Sequence, residues 1–148
     1  MKIGKFVTLI LGIVFFTNCN NNDDLTQTEN LNETWNLKNV SGGFPCVDID
    51  YENGIVTWQF VSETESLIVV SSVINNGPQS VYLPLQSGNY NYTVTEANGK
   101  TFIGIEGFGI FDNGEYGRYE INNNGELIID QGEGSEGSAD DVFILQFD

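Results

Sequence analysis

From Thr34 to the end of the chain, apolar and polar residues alternate with a period of two, and the apolar positions are mostly aromatic or β-branched. That period puts successive side chains on opposite faces of an extended chain, so it predicts half-buried strands. Trp35, Leu37 and Val40 open a first strand. Residues 55–61 (IVTWQFV) give a second, with Val56, Trp58 and Phe60 on one face, and 66–74 (SLIVVSSVI) a third. Tyr90, Tyr92 and Val94 share a face of the fourth. Segments 101–106, 108–111, 116–121, 127–130 and 142–147 follow; in the last, Phe143, Leu145 and Phe147 alternate.

Punctuation supports the strands. Asn53-Gly54, Asn98-Gly99, Asn113-Gly114 and Asn124-Gly125 lie between apolar runs. Asn-Gly accepts the positive φ angles of tight hairpin turns. An antiparallel meander with local connections follows. Pro45 and the acidic run Asp48 to Glu52 predict a long first loop, and residues 131–139 (QGEGSEGSA) are too glycine-rich for a strand. Any helix is short, around Ser62 to Ser66 or in the first loop. About eight antiparallel strands leave two open edges unless the sheet closes, so the expected fold is all-β, an eight-stranded up-and-down barrel. A two-layer β-sandwich is the competing architecture. Leu67 to Val70 is apolar on both faces, which predicts cover over part of the outer wall by a loop, a short helix or a partner.

The N-terminus has a different pattern. Lys2 and Lys5 precede an uncharged apolar run, Phe6 to Phe16, about half the roughly 20 residues of a membrane-spanning helix but within the roughly 7–15 of a signal-peptide core. Phe16-Thr17-Asn18-Cys19 resembles the lipobox of bacterial lipoproteins, with Phe16 and Asn18 in place of the commoner leucine and small residue. The expected organisation is a lipoprotein signal peptide over 1–18, a lipidated polar tether over 19–32 and a β domain over 33–148. The resemblance implies acyl chains on Cys19 that hold the domain to a membrane. Asp23 and Asp24 resemble the acidic signal that sends some lipoproteins to the outer face of the outer membrane; the expected location is the outer membrane, on its periplasmic or cell-surface face.

Charge and cysteine content narrow the partners. Cleavage before Cys19 leaves three cations, Lys38, Lys100 and Arg118, against 21 carboxylates, and hence a formal charge of −18. Phosphate backbones repel such a chain, so nucleic acid is not expected as a partner. The remaining domain of about 115 residues forms one core, and a monomer is expected. Cys19 and Cys46 are the only cysteines; with Cys19 acylated, Cys46 has no intramolecular partner and is expected to be a small, half-buried residue.

The segment TWNLKNVSGG around Trp35, the strand GIVTWQF and the ending FILQFD are similar to those of small bacterial lipocalin-like lipoproteins. The resemblance covers residues 31–148 and implies a tryptophan packed across the barrel base. Glu33 stands where that family has a glycine, and residues 125–148 contain no Lys or Arg to cap the tryptophan.

Candidate chemistry is sparse. The chain has no histidine, which removes the usual base of Ser-His or Cys-His catalysis and the commonest transition-metal ligand. A non-catalytic protein without cofactor or metal is expected. Asp48, Asp50 and Glu52 alternate like calcium ligands, but an EF-hand needs glycine sixth and glutamate twelfth, where this loop has Asn53 and Gln59. A weak calcium loop there, or one from Asp112, Asn113 and Glu115, is the alternative to a solvated acidic turn. Trp35, Trp58, Phe60, Tyr90 and Tyr92 are the candidate ligand-binding residues, and Phe102, Phe143 and Phe147 are further inward positions. An eight-stranded interior is just wide enough to be filled by side chains or to hold one small ligand. The domain is therefore expected to bind a small hydrophobic ligand, or, if filled, to act as a structural or interaction lipoprotein on another envelope protein.

Overall fold

The computed structural model describes residues 31–44, 46–74 and 76–148. The signal segment, Cys19 and the tether up to residue 30 lie outside the described residues. Among the described residues eleven strands form: β1 (Thr34–Gly42), β2 (Val47–Asp50), β3 (Val56–Val61), β4 (Ser66–Ser71), β5 (Gly88–Ala97), β6 (Lys100–Ile105), β7 (Glu115–Ile121), β8 (Leu127–Asp130), β9 (Glu133–Gly134), β10 (Gly137–Ser138) and β11 (Phe143–Phe147). A 3-10 turn covers Ser62–Thr64, and a single helical turn, α1, covers Pro78–Val81.

Each of β3 to β7 pairs antiparallel with the next in sequence, β8 pairs with β11, and β11 pairs back onto β1, which pairs with β3. The result is a closed eight-stranded antiparallel barrel. Closure satisfies both edges of the meander with backbone hydrogen bonds. The closing seam sets Leu37 opposite Phe147 and Val40 opposite Leu145. Lys38 is the extra residue of a bulge there, which is why Leu37 and Val40, three residues apart, both face inward.

Local chemistry explains the tight turns. Asn98 (φ 54°) and Gly99 (φ 72°) both take positive φ between β5 and β6, the conformation that a two-residue hairpin demands. Departures from the expected pattern come from tertiary contacts. The acidic first loop contains β2, which pairs with the C-terminal half of β1. Residues 108–111 form no strand and cross the barrel end as loop. The segment 131–139 does form a small hairpin, β9–β10, held by Lys100 and Arg118, which both pair with Glu133. Cys46 is exposed, not half-buried, and Val70 is exposed on the outer wall, so no part of the described chain covers it.

The two ends of the barrel differ. At one end the connections are short and Leu31, fully buried, closes the base. Glu33 N–H donates to the Leu31 carbonyl at 2.6 Å, so a tight turn forms there without glycine. Trp35 Nε1 donates to the same carbonyl at 3.3 Å, which gives the indole a partner where no basic side chain is available. The fold therefore reaches back into the segment expected as tether: Asn32 also accepts a bond from Ser62 N–H. The opposite, open end carries the long connections, 72–87 and 106–114 among them.

Surface carboxylates tie the connections down, and their titration is predictable. Asn122 and then Lys38 hold the Glu126 carboxyl down to about 2, well below the ordinary carboxylate value of about 4.3. A folded-state pKa below the unfolded one contributes stability that is complete above the unfolded value and is lost as pH falls through the folded one. The stability gap between the native chain and Glu126→Gln is therefore expected to be full at pH 7 and to close progressively below about pH 4.3. Urea midpoints for the pair at descending pH check this; a gap that persists in acid refutes it.

Candidate functional site

The barrel's lower interior is filled. Trp58, fully buried on β3, packs against Phe147 (centroids 5.0 Å apart), Phe60 and Tyr116 (6.3 Å each), and Phe60 meets Tyr92 edge-on at 5.1 Å. Of the five candidate ligand residues, Trp35, Trp58, Phe60 and Tyr92 belong to this buried core. Tyr90 is half-buried, donates its hydroxyl to the Gln86 carbonyl at 2.8 Å and packs edge-on against Phe108. Phe102 is corrected: Thr101, Ile103 and Ile105 are buried on β6, so Phe102 points outward, opposite Arg118, and is covered there. Phe143 and Phe147 do face inward.

Above the aromatic stack, the open end holds an apolar cleft of about 250 Å³. Val40, Leu145 and Tyr116 form its floor from the barrel wall. Val81 and the segment Tyr82-Leu83-Pro84 form one side, Phe108 and Ile110 another, and Phe143 and Gln131 complete it. Val81 is 73% exposed, Phe108 41% and Ile110 39%, so three large apolar side chains meet water around one opening. None of the five residues singled out in the sequence lines this cleft, although Tyr90 braces Phe108 from behind.

Specific contacts hold the walls. Tyr51 donates its hydroxyl to the Gln79 carbonyl at 3.0 Å, and Gln79 Nε2 donates to the Asp50 carbonyl at 2.6 Å, so β2 pins α1 over the opening. Burial pushes the Tyr51 hydroxyl up to about 12; it stays a neutral donor. Tyr82 packs edge-on against Phe143 at 5.9 Å. Leu85, fully buried, anchors the segment that follows.

A bulge in β7 brings Tyr116 to the floor. Ile103 pairs with Gly117 while Gly104 pairs with Glu115, so Tyr116 is the extra residue. The phase flips there. Tyr119 and Tyr116 both join the core, and Glu115 turns to the outer face. There Glu115 accepts from Ser135 N–H and Oγ, both at 2.7 Å, and from Thr95 at 3.2 Å. Burial by itself pushes this carboxyl up; the Ser135 backbone and hydroxyl, Asn113 and Thr95 outweigh it, and its pKa falls below the ordinary range. The Tyr116 hydroxyl, by contrast, is buried beside the Gln131 side chain; burial pushes its pKa up, and Gln131 acts in the opposite direction.

A larger groove of about 550 Å³ lies outside the barrel between β2 and residues 72–79; Asp48, Asp50 and Glu52 share its lining with Ile49, Ile55 and Val73. Its aspartates each accept from Asn39 Nδ2, at 2.8 and 2.9 Å. Asp48 and Asp50 are thus alternate residues of a strand, and Glu115 of the second acidic set is committed to Ser135. Comparison with protein-family models, with curated proteins and with solved structures gives no match.

Proposed function

We propose that this chain is a lipid-anchored envelope lipoprotein, held to the outer membrane through acyl chains on Cys19, whose lipocalin-like barrel binds a small hydrophobic ligand at its open end. The observation that carries the binding role is the apolar cleft at the mouth, ringed by exposed Val81, Phe108 and Ile110. Apolar surface gathered around a concavity marks a ligand site more often than a bare wall does. Leu31 enters at the closed base, so a tether that precedes it leaves the mouth at the remote end of the domain. No histidine is present to act as a base, and the proposed role is non-catalytic. The filled interior favours a second reading, a structural or interaction lipoprotein that docks on another envelope protein through the same rim.

Native mass spectrometry of the full chain purified from envelopes tests both parts. The expected spectrum shows the acyl mass on Cys19 and a further, dissociable small-molecule mass. Cys19→Ser loses the first and moves to the soluble fraction; Phe108→Ala depletes the second. A chain that never carries a small molecule overturns carriage in favour of docking, and an unacylated Cys19 overturns the anchor.

A further inference from the structure

Among the described residues β2 ends the nine-stranded sheet, with β1 as its single neighbour. One bond fixes which backbone groups that pairing uses. Tyr51 N–H donates to the Lys38 carbonyl at 2.9 Å. Residues along an antiparallel pair alternate between bonding the neighbour and facing away from it. Ile49, opposite Val40, and Val47, opposite Gly42, therefore bond to β1, and Asp48 and Asp50 turn their N–H and C=O groups to the other edge. Gln79 confirms the sense: its Nε2 donates to the Asp50 carbonyl at 2.6 Å. The Asp48 N–H, the Asp48 carbonyl and the Asp50 N–H have no partner among the described residues.

This edge borders the outer groove of about 550 Å³. The side chains of β2 give that groove two chemically different faces. Ile49 packs toward the core, as do Ile55 and Val73, and Ile74, also in the lining, is 80% exposed. Asp48 and Asp50 stand exposed on the other face of the strand, and Glu52 adds a third carboxylate to the lining. No cation lines the groove. All three cations of the described residues are paired elsewhere, Lys38 with Glu126, Lys100 with Glu133, and Arg118 with Glu120 and Glu133.

An unpaired edge is a template for a further strand, and the two faces dictate which strand fits. An added strand continues the pleat of β2, so its side chains fall alternately with Ile49 on the apolar side and with Asp48 and Asp50 on the acidic one. Apolar residues suit the first set. Lys or Arg suits the second, because it brings the counter-charge that these carboxylates lack. A second copy of β2 is disfavoured on the same ground, since it would set the aspartates against their own kind. We infer that this groove docks an extended segment of a partner protein, in which apolar residues alternate with Lys or Arg, by adding it as a strand to the free edge of β2. The site is separate from the mouth cleft and does not depend on a ligand there.

The test uses three capped octapeptides: lysine alternating with valine, glutamate alternating with valine, and a block of lysines followed by a block of valines. Each is titrated calorimetrically into the full chain in nanodiscs of phosphatidylcholine, which carries no net charge, and empty nanodiscs correct for partition. The alternating lysine peptide is expected to bind at least about tenfold tighter than the block peptide, the value of one net hydrogen bond. The glutamate peptide is expected not to bind. Hydrogen exchange at the Asp48 and Asp50 amides is expected to be fast in the free chain and to slow at least about tenfold when the alternating lysine peptide saturates it. Asp48→Pro removes the outward N–H at a place where an edge strand tolerates proline, and is expected to weaken binding at least about tenfold. Asp48→Asn with Asp50→Asn keeps the edge but removes its charge, for about a fivefold loss. Equal binding by the block or glutamate peptide, no binding by any, a loss in neither variant, or unchanged amide exchange overturns the inference. Slow exchange before any peptide is added also overturns it: a dimeric mass then names a second copy as the occupant, and a monomeric one a segment of the chain itself. The peptide comparison and the asparagine variant stand even if Asp48→Pro does not fold.

Discussion

Trp58→Ala is expected to destabilise the barrel by about 3–5 kcal/mol, a large part of the roughly 5–15 kcal/mol that a domain this size has to lose. Trp58 is fully buried and touches Phe60, Tyr116 and Phe147, so its removal opens a cavity where three rings converge. It also pairs across strands with Trp35, and the loss spreads to the base. One effect runs the other way. The indole N–H is buried without a hydrogen-bond partner among the described residues, so alanine also removes an unsatisfied donor, which places the loss toward the lower end of the range. Trp58→Phe separates the two contributions. It keeps most of the ring volume and discards the orphaned N–H, and is expected to cost about 1.5 kcal/mol or less. Urea unfolding of the three chains, followed by far-UV circular dichroism, checks the order. If phenylalanine proves as damaging as alanine, ring packing is not what Trp58 supplies.

Gly117→Ala is expected to cost about 3 kcal/mol, the upper part of the usual range for overpacking. A Cβ at this position would sit 2.4 Å from the Asp130 carbonyl oxygen and 2.9 Å from its carbon. Both are backbone atoms of the neighbouring strand, and neither can swing aside as a side chain would. The barrel must shift β7 against β8 or give up the bulge. The second outcome would return Tyr116 toward the outer face and pull Glu115 from Ser135, so it links stability to the cleft. Gly137→Ala is the control, since its Cβ meets nothing within 4 Å, and it is expected to stay within about 0.5 kcal/mol of the native chain. Urea midpoints measure both. A Gly117→Ala chain as stable as the control would mean that the bulge relaxes freely.

Much of the barrel was legible beforehand. Alternation at Val56, Trp58 and Phe60 and at Phe143, Leu145 and Phe147 named the inward faces, and the Asn-Gly pairs marked turns, because both signals act within a few residues. Trp35 in the base was legible too. Its hydrogen-bond partner was not: the Leu31 carbonyl lies in a segment whose composition reads as tether. β2 was hidden because its residues Asp48 and Asp50 face solvent and its pairing with β1 returns across a turn that composition does not announce. Phe108 and Ile110 look like strand residues, yet they wall a cleft, because the register of β6 and β7 ends before reaching them.

The strand pattern and the antiparallel meander follow from local periodicity and turn chemistry, since a period of two and positive-φ turns act within a few residues; closure rather than a sandwich, and a filled lower interior rather than a hollow one, were decided by the pairing of β11 with β1 and by side-chain packing. The mouth was settled by tertiary structure. Two bulges, at Lys38 and Tyr116, set which neighbours in sequence face inward, and a bulge arises from the match between two distant strands rather than from either one alone. The same long-range fit lays α1 and the 106–114 connection over the opening and brings Tyr116 into the lining of the cleft. Residues 40, 82, 108, 116, 131 and 145 share no spacing along the chain; only closure of the barrel makes them neighbours.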